Sequence, residues 1–179
     1  MDVLTAIRNR RSVRSYAERT IPVQVLERLR QVLRSAPSAC NYQPWHFVFV
    51  MDPAVRRRLG ELANGQQWIA DAPLIVVGCA NPDEAYPAMA GRRCSAEVDV
   101  AIALDHLALA AVVEGLGTCW IGSFDEGAVV SLLGVPAGYE IVAMMPVGYP
   151  SSPDLNHPLE ERLRKPAAEI FSNDRYGRR

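Results

Sequence analysis

The chain lacks any long unbroken apolar run. Its longest apolar stretch, about residues 95–116, is interrupted by Asp99, Asp105, His106 and Glu114. A membrane span rarely carries so many polar groups. The opening MDVLTAIRNRRS has no apolar core of the kind a signal peptide needs. Charge of either sign is nearly balanced, at −1 overall, so no broad basic face for nucleic acid is implied. Cysteine is scarce: positions 40, 79, 94 and 119, with no C-x-x-C pair and only three histidines. That excludes the usual zinc and iron–sulfur spacings. Free thiols, buried or partly buried, in a reducing cytoplasm are expected instead. No Walker A sequence occurs. The segment Gly115–Gly122 is not a G-x-G-x-x-G fingerprint, because residue 120 is tryptophan and the segment runs from helix to strand.

What is present is an ordinary globular composition, 49% hydrophobic and 22% charged over 179 residues. One domain spanning 1–179 is expected, with a core of normal size. Apolar spacing predicts helices over 2–9, 22–35 and from Asp52-Pro53 to about 64–65. A short helical turn is expected at 67–71 and further helices at 95–116 and 126–133. Strands are predicted at 46–50, 74–79, 118–121 and 140–148. The unbroken apolar run Leu74–Cys79 implies cover on both faces. The 95–116 helix is apolar nearly all the way round and is ended by Gly115 and Gly117. Such a helix belongs in a core or at a subunit interface. The tail from about 150 is extended, poor in helix and rich in proline and charge, so it should lie across something else, such as a second subunit. The alternation of strands and helices predicts a layered α/β arrangement.

Four segments carry chemical potential. Arg10-Arg-Ser-Val-Arg14 supplies forked cations and a hydroxyl suited to phosphate, although a basic helix C-terminus is also favourable by itself. Pro37-Ser-Ala-Cys-Asn-Tyr-Gln-Pro-Trp-His46 holds amide groups able to read a heterocycle edge, or is a self-capped turn. Gly122, just past a strand, lets backbone approach a ligand, or simply follows a helix stop. Arg162-Leu-Arg-Lys-Pro166 is a second basic cluster, or a solvated one.

In this order and spacing the four segments resemble the nitroreductase family. The likeness runs from Ile7–Arg14 to Arg164–Pro166. Its most specific parts are A-P-S-A-x-N-x-Q-P-W-H-F (Ala36 to Phe47) and G-x-G-T-C-W-I-G (Gly115 to Gly122). The resemblance implies an α+β fold, an α/β three-layer sandwich with a central, mostly antiparallel sheet flanked by helices. It implies a homodimer with the long apolar helix at the interface and the tail reaching the partner subunit. Each of two FMN sites would draw on both chains. By the same resemblance, Arg10 and Ser12 match residues that hold the FMN phosphate and ribityl chain, and Arg14 a cation near the flavin pyrimidine. Arg11 falls at a more variable position. Pro37, Ser38, Ala39 and Asn41 match the loop that comes over the ring from the partner. Ile121 and Gly122 match the stretch beside flavin N5, and Arg162 and Arg164 the basic residues completing the phosphate site. Gln67 stands where longer relatives read the pyrimidine edge.

The activity so implied is passage of hydride from NADH or NADPH through flavin N5 to a small acceptor, a nitroaromatic, quinone or similar, by ping-pong turnover. No triad-like catalytic side chain is expected, since the cofactor carries the chemistry. A specialised flavin enzyme, dehalogenase-like or flavin-destroying, is one alternative. Such relatives close a lid, and residues 81–93, with Tyr86 and Met89 near the pocket mouth, read as a short mobile loop. A non-catalytic FMN-binding or delivery protein is the other.

Overall fold

A computed structural model describes residues 1–91 and 93–178. Arg92, within the predicted loop, and Arg179 lie outside the described residues. Four antiparallel strands form the sheet: β1 (Trp45–Val50), β2 (Leu74–Ala80), β3 (Gly117–Thr118) and β4 (Glu140–Gly148), in the order β1-β2-β4-β3. β2 is buried along its whole length. Its alternate side chains explain why. Leu74, Val76 and Ala80 pack on one face with α2 (Val23–Arg34) and α4 (Ala96–Val113), beside Leu29, Leu33, Val100 and Leu104. Ile75, Val77 and Cys79 pack on the other with α3 (Pro53–Leu62) and α5 (Glu126–Leu133), beside Leu59, Ile69 and Val129. The result is helix, sheet and helix in three layers.

The helices start where their caps dictate. Asp2 accepts from Thr5 N before α1 (Val3–Asn9), Asp52 from Ala54 N and Val55 N, and Asp125 from Ala128 N. The short helical turn expected at Gln67–Asp71 forms as a 3-10 helix. Arg56 fastens it to α3, donating from Nη1 to the carbonyls of Ala70 and Ala72. Among the described residues no helix is long and apolar enough to cross a membrane.

Three expectations need correction. The third strand is shorter than 118–121: after Thr118 the ladder is interrupted and resumes as the single pair Ile121–Met144. Cys119 falls opposite Pro146, which has no N–H to give, so the ladder bond is missing there. Helix α4 is ended by Gly115 alone, at φ 74°; Gly117 is already strand. Finally, Cys79 and Cys119 are buried and Cys94 partly so, but Cys40 is exposed, because it sits at the apex of a left-handed turn. All four are free. The tail is partly buried at Leu155, Asn156, His157 and Leu159 and exposed over 162–178; it holds 3-10 turns plus one short helix, α6 (Ala167–Ile170).

Candidate functional site

Arg10 is the C-cap of α1 and leaves the helix with extended backbone, φ −59° and ψ 125°. From there the chain runs beside β3. Ser12 pairs in parallel with Thr118, and Val13 N donates to Thr118 O at 2.9 Å. Extended chain alternates its side chains, so Ser12 and Arg14 are exposed while Val13 is buried. Arg10, Ser12 and Arg14 all act on Cys119. Burial raises that thiol above its ordinary pKa, and Arg14, a hydrogen bond from Ser12 and Arg10 draw it partly back. The Tyr16 hydroxyl locks the segment down, donating to Val13 O at 2.8 Å, while its ring stacks on Trp68 at 6.5 Å.

Arg11 points the other way. Its guanidinium donates to the carbonyls of Arg10 and Arg8, the latter at 2.7 Å, satisfying orphan acceptors at the end of α1. Its pKa is lowered, first by burial and then by Arg10 and Arg164, with Glu160 opposing. The charge of Arg164 in the tail is therefore felt at Arg11. The tail is held to α1 in part by Leu159 N, which donates to Arg8 O at 3.0 Å. Arg162 is highly exposed and forks onto Glu160, at 2.8 Å and 2.7 Å. Glu160, its partner, is the group that acts on Arg11.

Ile121 is buried and exchanges backbone hydrogen bonds with Met144 at 2.9 Å and 3.0 Å. This pins the backbone of Gly122, which is exposed. A Cβ at Gly122 would meet nothing of its own chain nearer than Trp120 Nε1 at 3.5 Å. No neighbour in the chain demands glycine at that position. Trp120, itself exposed, and Cys119 were not singled out from sequence, although both lie inside the G-T-C-W-I-G motif.

The loop carrying Pro37, Ser38, Ala39 and Asn41 is strained. Cys40, Asn41 and Gln43 all have left-handed backbones, at φ 51°, 57° and 54°. Such positions cost about 1–3 kcal/mol each for ordinary residues and cluster at functional sites. Ser38 holds the turn from within, its hydroxyl accepting from Gln43 N at 2.9 Å and its carbonyl from Asn41 N at 3.0 Å. Asp99, missed in the sequence because it reads as an interruption of an apolar helix, accepts from Ala39 N at 3.0 Å.

Gln67 is exposed and lines a shallow recess with Pro53, Arg56, Arg57 and Asp71, apart from the other candidates. Its neighbours are the ones that reach the Gly122 turn. Asn64 Nδ2 donates to Ser123 Oγ at 3.2 Å and Gln66 Nε2 to Ser123 O at 3.3 Å. The Asn64-Gly65 turn, with Asn64 at φ 49°, was the available signal. Of the loop expected at 81–93, Pro82–Glu84 form a 3-10 turn, and Ser95 N, just before α4, donates to Tyr86 O at 2.9 Å.

These groups form two halves. Arg10, Ser12, Arg14, Arg164 and the Gly122 turn gather around β3, just past the end of α4. The 37–43 loop is anchored at the start of α4. An 18-residue helix is roughly 27 Å long, so one chain does not bring the halves together. An apolar groove of about 500 Å³, lined by Val3, Ala6, Val32, Leu109 and Val113, runs along α1, α2 and the second half of α4. Val3, Leu4 and Ile7 of α1 stand exposed beside it.

The cluster beside β3 suits an anion. Arg10 and Arg164 both act on Arg11, whose pKa they lower, so positive charge accumulates here. The nitroreductase family model matches residues 7–95 and 64–149. The chain belongs to the nitroreductase family, a family of oxidoreductases. An NADH dehydrogenase of Thermus thermophilus is 31% identical over 192 positions, taking in 89% of this chain and 94% of the relative. The FMN reductase (NAD(P)H) of Bacillus subtilis is 27% identical over 172 positions, 88% of this chain and 69% of the relative. The fold matches the crystal structure of a nitroreductase family protein from Clostridium difficile with a TM-score of 0.85 and 26% identity, covering 98% of this chain and 99% of that one.

Proposed function

We propose that this member of the nitroreductase family is an FMN-dependent NAD(P)H oxidoreductase acting as a homodimer on a small acceptor such as a nitroaromatic or quinone. The observation that carries the reading is the convergence of Arg10, Ser12, Arg14 and Arg164 beside β3, a few residues from the exposed backbone of Gly122. The name of the Bacillus subtilis relative, an FMN reductase, supports the cofactor.

FMN, when bound, supplies the centre that accepts hydride from the nicotinamide and yields it to the acceptor. The chain's own part is to bind, orient and polarise. Arg10, Ser12 and Arg164 would hold the phosphate with charge-assisted hydrogen bonds. Arg14 would stabilise negative charge developing on the ring system. The pinned Gly122 backbone would offer an N–H with no side chain in the way. Ser38 and Asn41 would come from the partner subunit, which places both halves in one site and accounts for the exposed apolar groove beside α1 and α4. A single open pocket serving donor and acceptor in turn corresponds to ping-pong kinetics. The protein would work without a side-chain acid or base of its own.

The test is an absorption spectrum of the purified protein, followed by anaerobic titration with NADH and then NADPH. A flavin spectrum bleached by either nucleotide is expected and names the donor. Bound flavin that neither nucleotide reduces would point to a specialised flavin enzyme or a carrier. Protein that cannot be loaded with FMN would remove the reading altogether.

A further inference from the structure

The left-handed turn at Cys40–Gln43 has few ties to the rest of the fold. Most of its hydrogen bonds are internal: Asn41 N to Ser38 O, Tyr42 N to Ala39 O, Gln43 N to Ser38 Oγ and Gln43 Nε2 to Asn41 O. At its far end Asn81 N donates to Pro44 O at 2.9 Å. At the turn itself the tie is Ala39 N to Asp99 Oδ1, at 3.0 Å. The second carboxylate oxygen of Asp99 takes the Ser95 hydroxyl at 2.7 Å. Both side chains are buried, Asp99 3% and Ser95 1% exposed.

A carboxylate is an expensive group to bury, tolerated only when its acceptor capacity is used. Asp99 stands in the first turn of α4, where the helix end favours an anion. Its neighbours Ala96, Val100 and Ala103 are plain core residues. The helix end favours an acid there, and its burial is offset by the two hydrogen bonds it accepts, from Ser95 Oγ and, outside the helix, from Ala39 N of the loop. Backbone in sparsely populated conformations persists only when its surroundings over-determine it, and Asp99 supplies the external constraint. Because α4 is a continuous helix, it also fixes the position of this loop relative to Gly115–Thr118 at its other end.

We propose that Asp99 is a positioning residue of the cofactor site: it holds Ala39 and so sets the turn that presents Ser38 and Asn41 to the FMN of the partner subunit. The inference rests on the FMN reading above. Ser95 acts behind it by fixing the rotamer of the carboxylate.

The experiment compares full-length wild type with Asp99→Ala, Asp99→Asn and Ser95→Ala, using two readouts. The first needs no cofactor: the rate at which Cys40, exposed in the turn, is alkylated by iodoacetamide, read on its own peptide by mass spectrometry. The second is the FMN dissociation constant together with the visible circular dichroism of the bound flavin, which reports ring orientation rather than stability. Asp99→Ala should raise the Cys40 rate several-fold, weaken FMN at least tenfold and alter the flavin dichroism. Asp99→Asn, which can still accept from Ala39 N and donate to the Ser95 hydroxyl, should restore all three to within about threefold. Unchanged values in Asp99→Ala, or an Asn variant no better than Ala, would overturn the proposal. Should Asp99→Ala fail to fold, Ser95→Ala decides: a faster Cys40 rate and shifted dichroism support it, and wild-type values of both overturn it. If wild type itself binds no FMN, the functional reading fails, and the Cys40 rate still reports whether Asp99 holds the loop.

Discussion

Val13 lies directly against Gly117: a Cβ on that glycine would sit 2.5 Å from Val13 Cγ2. The contact exists because the Ser12–Val13 strand is laid on β3, and it is this strand that turns Ser12 and Arg14 outward. Gly117→Ala should therefore push the strand away. The expected loss is about 1–3 kcal/mol, the usual scale for overpacking a filled site, read as a lower urea midpoint. FMN affinity should fall with it. Adding Val13→Ala makes room, so the double variant should bind FMN better than Gly117→Ala alone, a non-additivity expected only of residues in contact. Strictly additive effects would mean that the segment yields freely and that Gly117 is not what seats it.

The resemblance assigns both Arg10 and Arg162 to the phosphate, but they sit in different surroundings. Arg10 joins the cluster with Arg11 and Arg164, while Arg162 is exposed and already paired with Glu160. Arg10→Ala should weaken FMN by about 1.5–3 kcal/mol, the range for a charged hydrogen bond, with the deficit growing at low salt. Arg162→Ala should cost less, since an exposed ion pair contributes about 0–1 kcal/mol. Fluorescence titration of FMN against both variants checks the order. Equal losses would place Arg162 in the site as firmly as Arg10.

The elements were legible because their signals are local. Leu74–Ala80 is apolar throughout and is buried throughout; Asp52-Pro53 announces a helix that Asp52 then caps. The motifs around Arg10 and Gly122 were legible through resemblance. What escaped depends on partners distant in sequence. The gap after Thr118 follows from Pro146 on the opposite strand. The importance of Asp99 depends on a loop 60 residues earlier. Asn64 and Gln66 gain meaning only beside Ser123, and their neighbour Gln67 was named because spacing alone cannot say which of several nearby polar residues turns inward.

Alkaline lability should be a property of the core. Burial pushes the Cys79 thiol from 9.0 up to about 11, and raises Tyr16 and Cys119 in the same direction. A raised pKa means that the folded state keeps its proton after the unfolded chain has lost its own. The associated stability is complete below about pH 9 and is lost as pH climbs through the folded value. For Cys79 the difference corresponds to a loss on the order of 3 kcal/mol between pH 9 and 11. Urea midpoints measured across that window should fall steeply in wild type and less steeply in Cys79→Ala. The slope is the diagnostic, because the alanine variant also loses packing at every pH. Parallel slopes would mean that Cys79 ionises in the fold as readily as in water.

The separation of the two half-sites along α4 makes a prediction that only a shared site satisfies. Arg10→Ala damages the half beside β3, and a Ser38→Ala, Asn41→Ala double variant damages the half at the start of α4. Each homodimer should bind FMN poorly at both of its sites. A hybrid with one chain of each kind carries one site with both halves damaged and one with both halves intact. Co-expression with two affinity tags isolates that hybrid. It should hold one FMN per dimer with wild-type affinity and show about half the wild-type NAD(P)H oxidation rate, as expected for independent sites. Were each site built from one chain, every site in the hybrid would carry a lesion and no tight binding would return. Val113→Glu, which puts a charge into the apolar groove, should act on the same logic from the other side. By splitting the dimer it should abolish tight FMN binding while leaving each chain's fold, read by far-ultraviolet circular dichroism, in place. A monomeric Val113→Glu protein that still bound FMN tightly would place the whole site within one chain.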